Sequence, residues 1–176
     1  LERHRRNCIG NEINRRMGME SIMELLRAIV FDAFWSAIPA VGFAMIFAVP
    51  PRMLKYCAAG GAFAHSFRML QIHFGMPIEW ATFITTTLIG LIFVYVSRRL
   101  LAPRPVFTVA SIIPMIPGKF AFNTIIAVLS MNSGGVTEKL LQASIENGLK
   151  TLFILFALCF GLAVPSLFIY RNRPIV

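Results

Sequence analysis

Five long apolar runs fill most of this chain and constrain its fold more than any other feature. Each approaches or exceeds the length of about 20 residues that an α-helix needs to cross a bilayer. The runs cover residues 28–49, 53–74, 80–101, 106–131 and 149–170, with a polar loop before the last. We therefore predict an all-α fold, a polytopic membrane helical bundle with four to five transmembrane helices, one broken at a Pro-x-x-Pro-Gly motif.

The composition supports a membrane environment. Of the 176 residues, 57% are hydrophobic and only 14% are charged, whereas soluble domains carry about 25% charged residues. The net charge of +9 comes from basic residues between the apolar runs, which favours the positive-inside rule over a nucleic-acid-binding stripe. Five crossings with the N-terminus inside would place Arg98, Arg99 and Arg104 outside. A re-entrant second or fourth run would change this, so the topology stays open.

The N-terminal segment differs from the rest of the chain. Residues 1–18 are basic and lack apolar periodicity, so we predict a disordered cytoplasmic tail or a segment foreign to the natural chain. A single transmembrane domain then covers residues 19–176. The first apolar run is too long for a signal-peptide core and no cleavage site follows it, so we expect the first helix to direct insertion.

The fourth run contains the sequence Pro-Met-Ile-Pro-Gly-Lys at 114–119, which interrupts a continuous helix. In a bilayer, unwound backbone is tolerated only where protein or a water-filled cavity satisfies its polar groups. Transporters direct the positive N-terminus of such a half-helix at anionic substrate groups. A structural kink or re-entrant turn is the alternative. The candidate substrate-binding residues here are Pro114, Pro117, Gly118, Lys119, Asn123 and Thr124.

A polar stripe lies along one side of the second run, where His65, Arg68 and Gln71 recur at every third position. A charge at membrane depth costs about 3 kcal/mol or more, so Arg68 needs a partner or a cavity, and it can bind a carboxylate bidentately. The alternatives are an arginine that reaches the headgroups and a structural histidine. Asp32 and Glu79 are candidates for pairing with Arg68 or carrying a coupling proton, although solvated or ion-paired interfacial roles are simpler for both.

The second run also contains the small-residue tract Ala-Ala-Gly-Gly-Ala at 58–62. Small residues four positions apart let helix backbones approach closely. We therefore expect this run to lie inside the bundle rather than against lipid.

The chain lacks the patterns of enzymes and metal sites. It has no nucleotide-binding loop, no GxSxG, no HExxH and no pair of carboxylates within one run. Cys8, Cys57 and Cys159 are too far apart for a disulfide framework or a zinc site. We therefore expect a transporter component and not an enzyme, with no catalytic residues, no metal and no cofactor.

Four segments carry a resemblance to a known family. They are IPAVGFAMIFAVPPRML at 38–54, CAAGGAFAHSFRM at 57–69, IEWATF at 78–83 and PRPVFTVASIIPMIPG at 103–118. With them, residues 19–176 resemble the small subunit of a split transporter in the threonine/serine exporter (ThrE) family. The residues that match the family pattern are Pro39, Gly42, Arg52, Gly60, His65, Arg68, Glu79, Trp80, Pro114, Pro117 and Gly118, whereas Lys119 departs from it.

The resemblance implies a multi-pass protein of the bacterial inner membrane that works with a larger partner membrane subunit. The pair would export succinate and related C4-dicarboxylates, whereas fused relatives export threonine and serine. Five short segments are also few for a complete carrier, which favours a partner or a homo-oligomer. Two other functions stay open. One is threonine or serine export, with Asp32 or Glu79 binding the ammonium group; the other is a non-conducting assembly subunit.

Overall fold

The computed structural model describes residues 2–100 and 103–170, and this part of the chain is helical, without strands. The helices are α1 (Glu2–Ile46), α2 (Pro51–His73), α3 (Ile78–Leu100), α4 (Arg104–Ile112), α5 (Gly118–Gly134) and α6 (Glu138–Tyr170). A 3-10 turn at Ile113–Met115 follows α4. The predicted helical membrane bundle is confirmed.

Three segments are long and apolar enough to cross a membrane, namely Met23–Ile46, Ile78–Leu100 and Glu138–Pro165. The broken run supplies a fourth if Phe107–Met115 and Gly118–Gly134 form one span, whose halves meet at 54°. The described residues thus contain three candidate spans, or four if the broken run is one span. The higher count lies within the predicted four to five. Helix α2, with 23 residues, is long enough but is not among the helices that are apolar enough to cross.

Helices α1 and α2 end in the same way. The N–H of Val49 donates to the Ala44 carbonyl at 3.0 Å, and the N–H of Met76 donates to the Gln71 carbonyl at 3.1 Å. These bonds close C-terminal turns that require a left-handed residue just before the donor, a position that favours glycine. That residue is Gly75 after α2, with φ +84°, but Ala48 after α1, with φ +54°.

One segment is more helical than the sequence predicted. The polar loop before the last run is reduced to residues 135–137, because α5 continues to Gly134 and α6 begins at Glu138. The residues after Glu138 are polar but include the helix formers Lys, Leu, Gln and Ala. Residues 2–18, for which the sequence predicts a disordered tail or a segment foreign to the natural chain, lie in α1. The division into tail and transmembrane domain stays a prediction.

Helix α2 lies inside the bundle, in contact with α1, α3, α4 and the 3-10 turn, as its small-residue tract predicted. A Cβ atom on Gly60 would collide with the Ser111 hydroxyl and lie 2.5 Å from the Phe93 ring. One on Gly61 would lie 2.5 Å from the Ala40 side chain. Only glycine therefore allows α1 and α4 to pack this closely on α2.

Helix α6 packs on α3 and α5 on the other side of the bundle. Gly161 faces the Thr86 side chain without room for a Cβ atom, and the Thr86 hydroxyl lies 3.3 Å from the Ala157 carbonyl. Large apolar side chains cover the outer surfaces; Phe34 on α1 and Phe122 on α5 are 64% and 63% exposed. A soluble monomer rarely exposes such surfaces, which are suited to lipid or a membrane partner.

Candidate functional site

The polar stripe of α2 forms one connected network with α1 and the broken segment. His65 Nδ1 lies 2.6 Å from Asp32 Oδ2 on α1. Arg68 Nη2 lies 3.2 Å from His65 Nε2, and Arg68 Nη1 donates to the Met115 carbonyl at 2.7 Å. A carboxylate, an imidazole, a guanidinium and the carbonyl of the broken segment thus follow one another in space.

Local sequence positions these groups. His65 and Arg68 are three residues apart on α2 and therefore share a helix face. The short connection after α1 lets α1 pack along α2, and the Ser66 hydroxyl donates to the Ile29 carbonyl at 3.4 Å near Asp32. The glycine contacts next to this point keep the two helices close enough for the carboxylate to reach the imidazole.

Arg68 is buried, with 9% of its surface exposed. An arginine that reaches the lipid headgroups leaves its guanidinium in water, whereas Arg68 directs two of its nitrogens to protein atoms. A charge in this position needs partners, because removing it from water is costly unless hydrogen bonds compensate. The network through His65 to Asp32 supplies both the hydrogen bonds and a nearby opposite charge.

The broken segment contributes a carbonyl rather than a side chain. In a continuous helix, the Met115 carbonyl would accept from the N–H four residues later. The chain instead changes direction after the 3-10 turn, with Pro114 inside the turn and a new helix that begins at Gly118. The buried Pro117 has no N–H and precedes that helix. The Met115 carbonyl is therefore available to Arg68.

Gln71 extends the stripe toward α3. Its Nε2 donates to the Thr85 hydroxyl at 2.8 Å and is 3.3 Å from the Phe67 carbonyl. Its Oε1 is buried and has no hydrogen-bond partner among the described residues. Because a buried acceptor without a partner costs free energy, this oxygen is suited to a ligand N–H or O–H group.

The side chains at the start of α5 are not joined to this network. Lys119 and Asn123 are exposed. The Thr124 hydroxyl donates to the Phe120 carbonyl at 2.9 Å, and its side chain lies beside Gly148 on α6. The sequence thus located the break correctly, but the contact between the break and Arg68 is made by the Met115 carbonyl, before Gly118. A substrate role for the α5 residues stays a prediction.

The two acidic candidates lie in different places. Asp32 joins the network, whereas Glu79 lies in the first turn of α3 and has no ion pair with a side chain that the structure describes. Glu79 borders an apolar groove of about 590 Å³ between α3 and α6. The other residues that line the groove are Pro77, Trp80, Phe83, Phe153, Phe156, Ala157 and Phe160.

Sequence reasoning missed Met115 and the pairing of Thr85 with Gln71. Met115 has no polar side chain, and the only signal for its role was the interrupted helix. Thr85 lies in a run of three threonines, of which Thr86 and Thr87 donate to carbonyls of their own helix. Nothing in the sequence distinguishes Thr85 as the one that contacts α2.

A comparison with protein-family models gives a match over residues 32–168 to the family described as "Threonine/Serine exporter, ThrE". The chain belongs to the threonine/serine exporter family. The matched span begins at Asp32 and contains the α2 stripe and the break, so the network lies within the family's domain. Family membership makes the chain part of a membrane exporter family and agrees with its apolar helices.

A curated relative in Haemophilus influenzae, described as "Uncharacterized protein", is 46% identical over 148 residues. The match covers 84% of this chain and 50% of the relative, so the chain spans about half the length of the curated relative it matches. The family domain is therefore joined to a comparable length of other sequence in that protein. No solved structure matches the chain.

Proposed function

We propose that the chain is a subunit of a secondary transporter that exports small organic acids, with succinate and related C4-dicarboxylates as its substrates. The observation that carries the proposal is the buried guanidinium of Arg68 at the broken segment of an exporter-family domain. Two of its nitrogens are bonded to protein, and a guanidinium has five N–H donors, so donors are left for a ligand carboxylate.

The membrane potential supports export of an anion. Moving one elementary charge across a membrane changes its electrical free energy by about 2.3 kcal/mol per 100 mV. A dianion that leaves a cell with a negative interior therefore loses electrical free energy. Such a transporter needs chiefly a cationic, hydrogen-bonding site. Arg68, with His65 beside it, would supply the cationic and hydrogen-bonding groups of such a site.

We also propose that the chain resembles YjjB, works with a larger, YjjP-like membrane subunit and resides in the bacterial inner membrane. The length of the Haemophilus relative supports a further half, since only 50% of that protein matches this chain. The exposed apolar faces of α1, α5 and α6 offer surfaces for such a partner, for a second copy or for lipid.

Threonine or serine export is the second candidate, and one contact favours it. A zwitterion needs an anionic as well as a cationic partner. The imidazole of His65 connects Asp32 to Arg68, so a carboxylate lies near the guanidinium. The partnerless Gln71 Oε1 adds an acceptor suited to an ammonium or hydroxyl group. The description of the family names these two amino acids.

Reconstitution of the chain with its larger partner in vesicles tests both candidates. Efflux of labelled succinate and labelled threonine would be compared, with vesicles that lack either subunit as controls. We expect succinate efflux that requires both subunits. A membrane potential that is negative inside the vesicles should accelerate it. Threonine efflux without succinate efflux would establish the second candidate, and efflux of neither compound would reject the proposal.

Asp32→Asn separates the two substrates at the site, because asparagine keeps an oxygen acceptor for His65 but has no charge. We expect it to leave succinate efflux largely intact and to abolish any threonine efflux. Arg68→Ala tests for a non-conducting role. If this variant reduces complex formation but leaves the selectivity of residual efflux unchanged, the chain is an assembly subunit.

A further inference from the structure

The contact between Arg68 and His65 determines where the protons of the network lie. A guanidinium in a protein stays protonated and only donates hydrogen bonds. His65 Nε2, 3.2 Å from Arg68 Nη2, must therefore be the acceptor. The proton of the imidazole is then on Nδ1, which donates to Asp32 Oδ2 at 2.6 Å. The hydrogen-bond network thus assigns a neutral His65 with a defined tautomer.

A second proton on His65 is incompatible with this arrangement. It can bind only at Nε2, which holds the remaining lone pair of the ring, and it would leave Arg68 without its acceptor. The imidazolium and the guanidinium would also repel each other as like charges. The Asp32 carboxylate on the opposite side of the ring would stabilise the imidazolium. Proton binding at His65 therefore breaks the Arg68–His65 bond.

Arg68 would stay at the site after this bond is broken. Its Nη1 donates to the Met115 carbonyl, which does not depend on the state of His65. The Nη2 edge, which faces His65 in the structure, becomes available for a carboxylate. The group of Asp32, His65 and Arg68 changes from no net charge to a net positive charge, which attracts an anion.

The groups around His65 come from several elements. Of the elements that contact α2, α1 contributes the Asp32 carboxylate and the 3-10 turn contributes the Met115 carbonyl. From α3 and α4, the uncharged hydroxyls of Thr85 and Ser111 also contact α2. On α2 itself, Arg68 is the charged neighbour. The charged side chains within hydrogen-bond distance of His65 are thus Asp32 and Arg68 among the described residues.

We propose that His65 is a proton-binding site linked to substrate binding, and that proton binding at Nε2 releases Arg68 to bind the carboxylate of the substrate. The inference rests on the proposed function and adds a proton that binds together with the substrate. A proton and a carboxylate bind together, so each raises the affinity for the other by the same factor. Histidine is suited to this role, because its charge ordinarily changes between about pH 5 and 8.

Binding of labelled succinate and labelled threonine to the purified two-subunit transporter, measured from pH 5 to 9, tests the proposal. For one coupled proton, we expect affinity to fall by up to about tenfold per pH unit on the alkaline side. We expect His65→Gln, which cannot take up a proton, to remove this dependence. His73→Gln is the matched control, since His73 is on the same helix but exposed, and it should keep the wild-type dependence.

Proton uptake provides a second measurement. A pH-indicator dye in weakly buffered solution should record about one proton taken up per carboxylate bound at alkaline pH by the wild type, and none by His65→Gln. The proposal is overturned if His65→Gln keeps the wild-type pH slope, or if binding occurs without proton uptake.

The outcomes distinguish this inference from the proposed function. Absence of succinate and threonine binding at every pH would reject the substrates but not the proton site. In that case, ¹⁵N-histidine NMR of the wild-type transporter tests directly whether His65 takes up a proton. It should show His65 protonated at Nδ1 alone at high pH and at both nitrogens at low pH, with a simultaneous change in the Arg68 guanidinium signals. A single unchanging state would overturn the inference, as would titration without any change at Arg68. The same spectra replace the variant data if His65→Gln does not fold.

Discussion

At the contact between α1 and α2, charged and polar side chains meet in the interior of the bundle, whereas the contact between α3 and α6 is apolar along most of its length. The first contains Asp32, His65 and the buried Arg68. The second contains tightly packed Gly161 and a groove lined by phenylalanines. Both interfaces use glycine for close approach, so close packing alone does not distinguish a functional interface from a structural one.

The two interfaces differ in how many polar groups would lose a hydrogen-bond partner after a substitution. In the α3–α6 interface, threonine hydroxyls bond to carbonyls of their own helix, so few polar groups depend on the partner helix. At the α1–α2 interface, Asp32, Ser66 and Arg68 each bond to a group on another element. The polar interface is therefore the more sensitive to single changes, and the following predictions test this comparison.

Arg68→Met should have the largest effect. It removes one partner of a buried charged network and leaves the Met115 carbonyl and His65 Nε2 without a donor. Breaking a buried ion pair typically costs about 3–5 kcal/mol. We expect a loss of this order in the free energy of unfolding in mixed micelles, together with loss of export. The control is Arg98→Met at the exposed end of α3, which should change stability little. Equal effects of the two variants would contradict the comparison.

Gly60→Ala should have the next largest effect, because the added Cβ atom would overlap the Ser111 hydroxyl and the Phe93 ring. Overpacking of this kind costs about 1–3 kcal/mol. Gly42→Ala is the matched control, since nothing lies within 4 Å of a Cβ atom at Gly42 in α1. That change should stabilise the helix by up to about 1 kcal/mol. Denaturation midpoints in mixed micelles would measure both, and destabilisation by both variants would refute the packing argument.

Ala48→Gly should have a smaller effect in the opposite direction. Ala48 has a positive φ of 54°, a conformation that costs a residue with a Cβ atom about 1–2 kcal/mol. We expect glycine to raise the unfolding free energy by about 1 kcal/mol at most, because it also gives the unfolded chain more freedom. The reverse change at the equivalent turn, Gly75→Ala, should destabilise. Stabilisation by both changes would show that the two turns are not equivalent.

Glu79→Gln should have the smallest effect. Glu79 borders the apolar groove and is not bonded to the α2 stripe, so its charge has no described partner to lose. We expect stability and the ratio of succinate to threonine efflux to change by no more than about 0.5 kcal/mol, a factor of about two. Asp32→Asn in the same assay provides the contrast. A change in selectivity with Glu79→Gln as large as that with Asp32→Asn would extend the functional region to the groove.

Much of the fold was predictable because the signals are local. The second and third apolar runs match α2 and α3 to within a few residues at both ends, and Pro50 and Pro51 mark the connection between α1 and α2. Prediction failed before α6, where polar composition suggested a loop. Polar residues such as those after Glu138 are good helix formers, so composition could not separate a solvent-exposed helix from a loop.

The candidate site was predictable only in part. Periodicity placed His65 and Arg68 on one face, and the prolines identified the break. The choice between Asp32 and Glu79 as the partner could not be made, because both are acidic residues at the edge of an apolar run. The packing of α1 against α2 brings Asp32 to His65 and leaves Glu79 beside the groove.

By itself, the sequence determined that this protein is a helical membrane bundle with one interrupted helix, and it placed an arginine in an apolar run, where the charge needs a partner, a cavity or access to the headgroups. These properties follow from run length, proline chemistry and the cost of charge in lipid, all of which act over a few residues. Only the tertiary structure decided that the partners are Asp32 through His65 and the Met115 carbonyl. Such contacts join residues 33 and 47 positions apart. They depend on how closely glycine lets the helices approach.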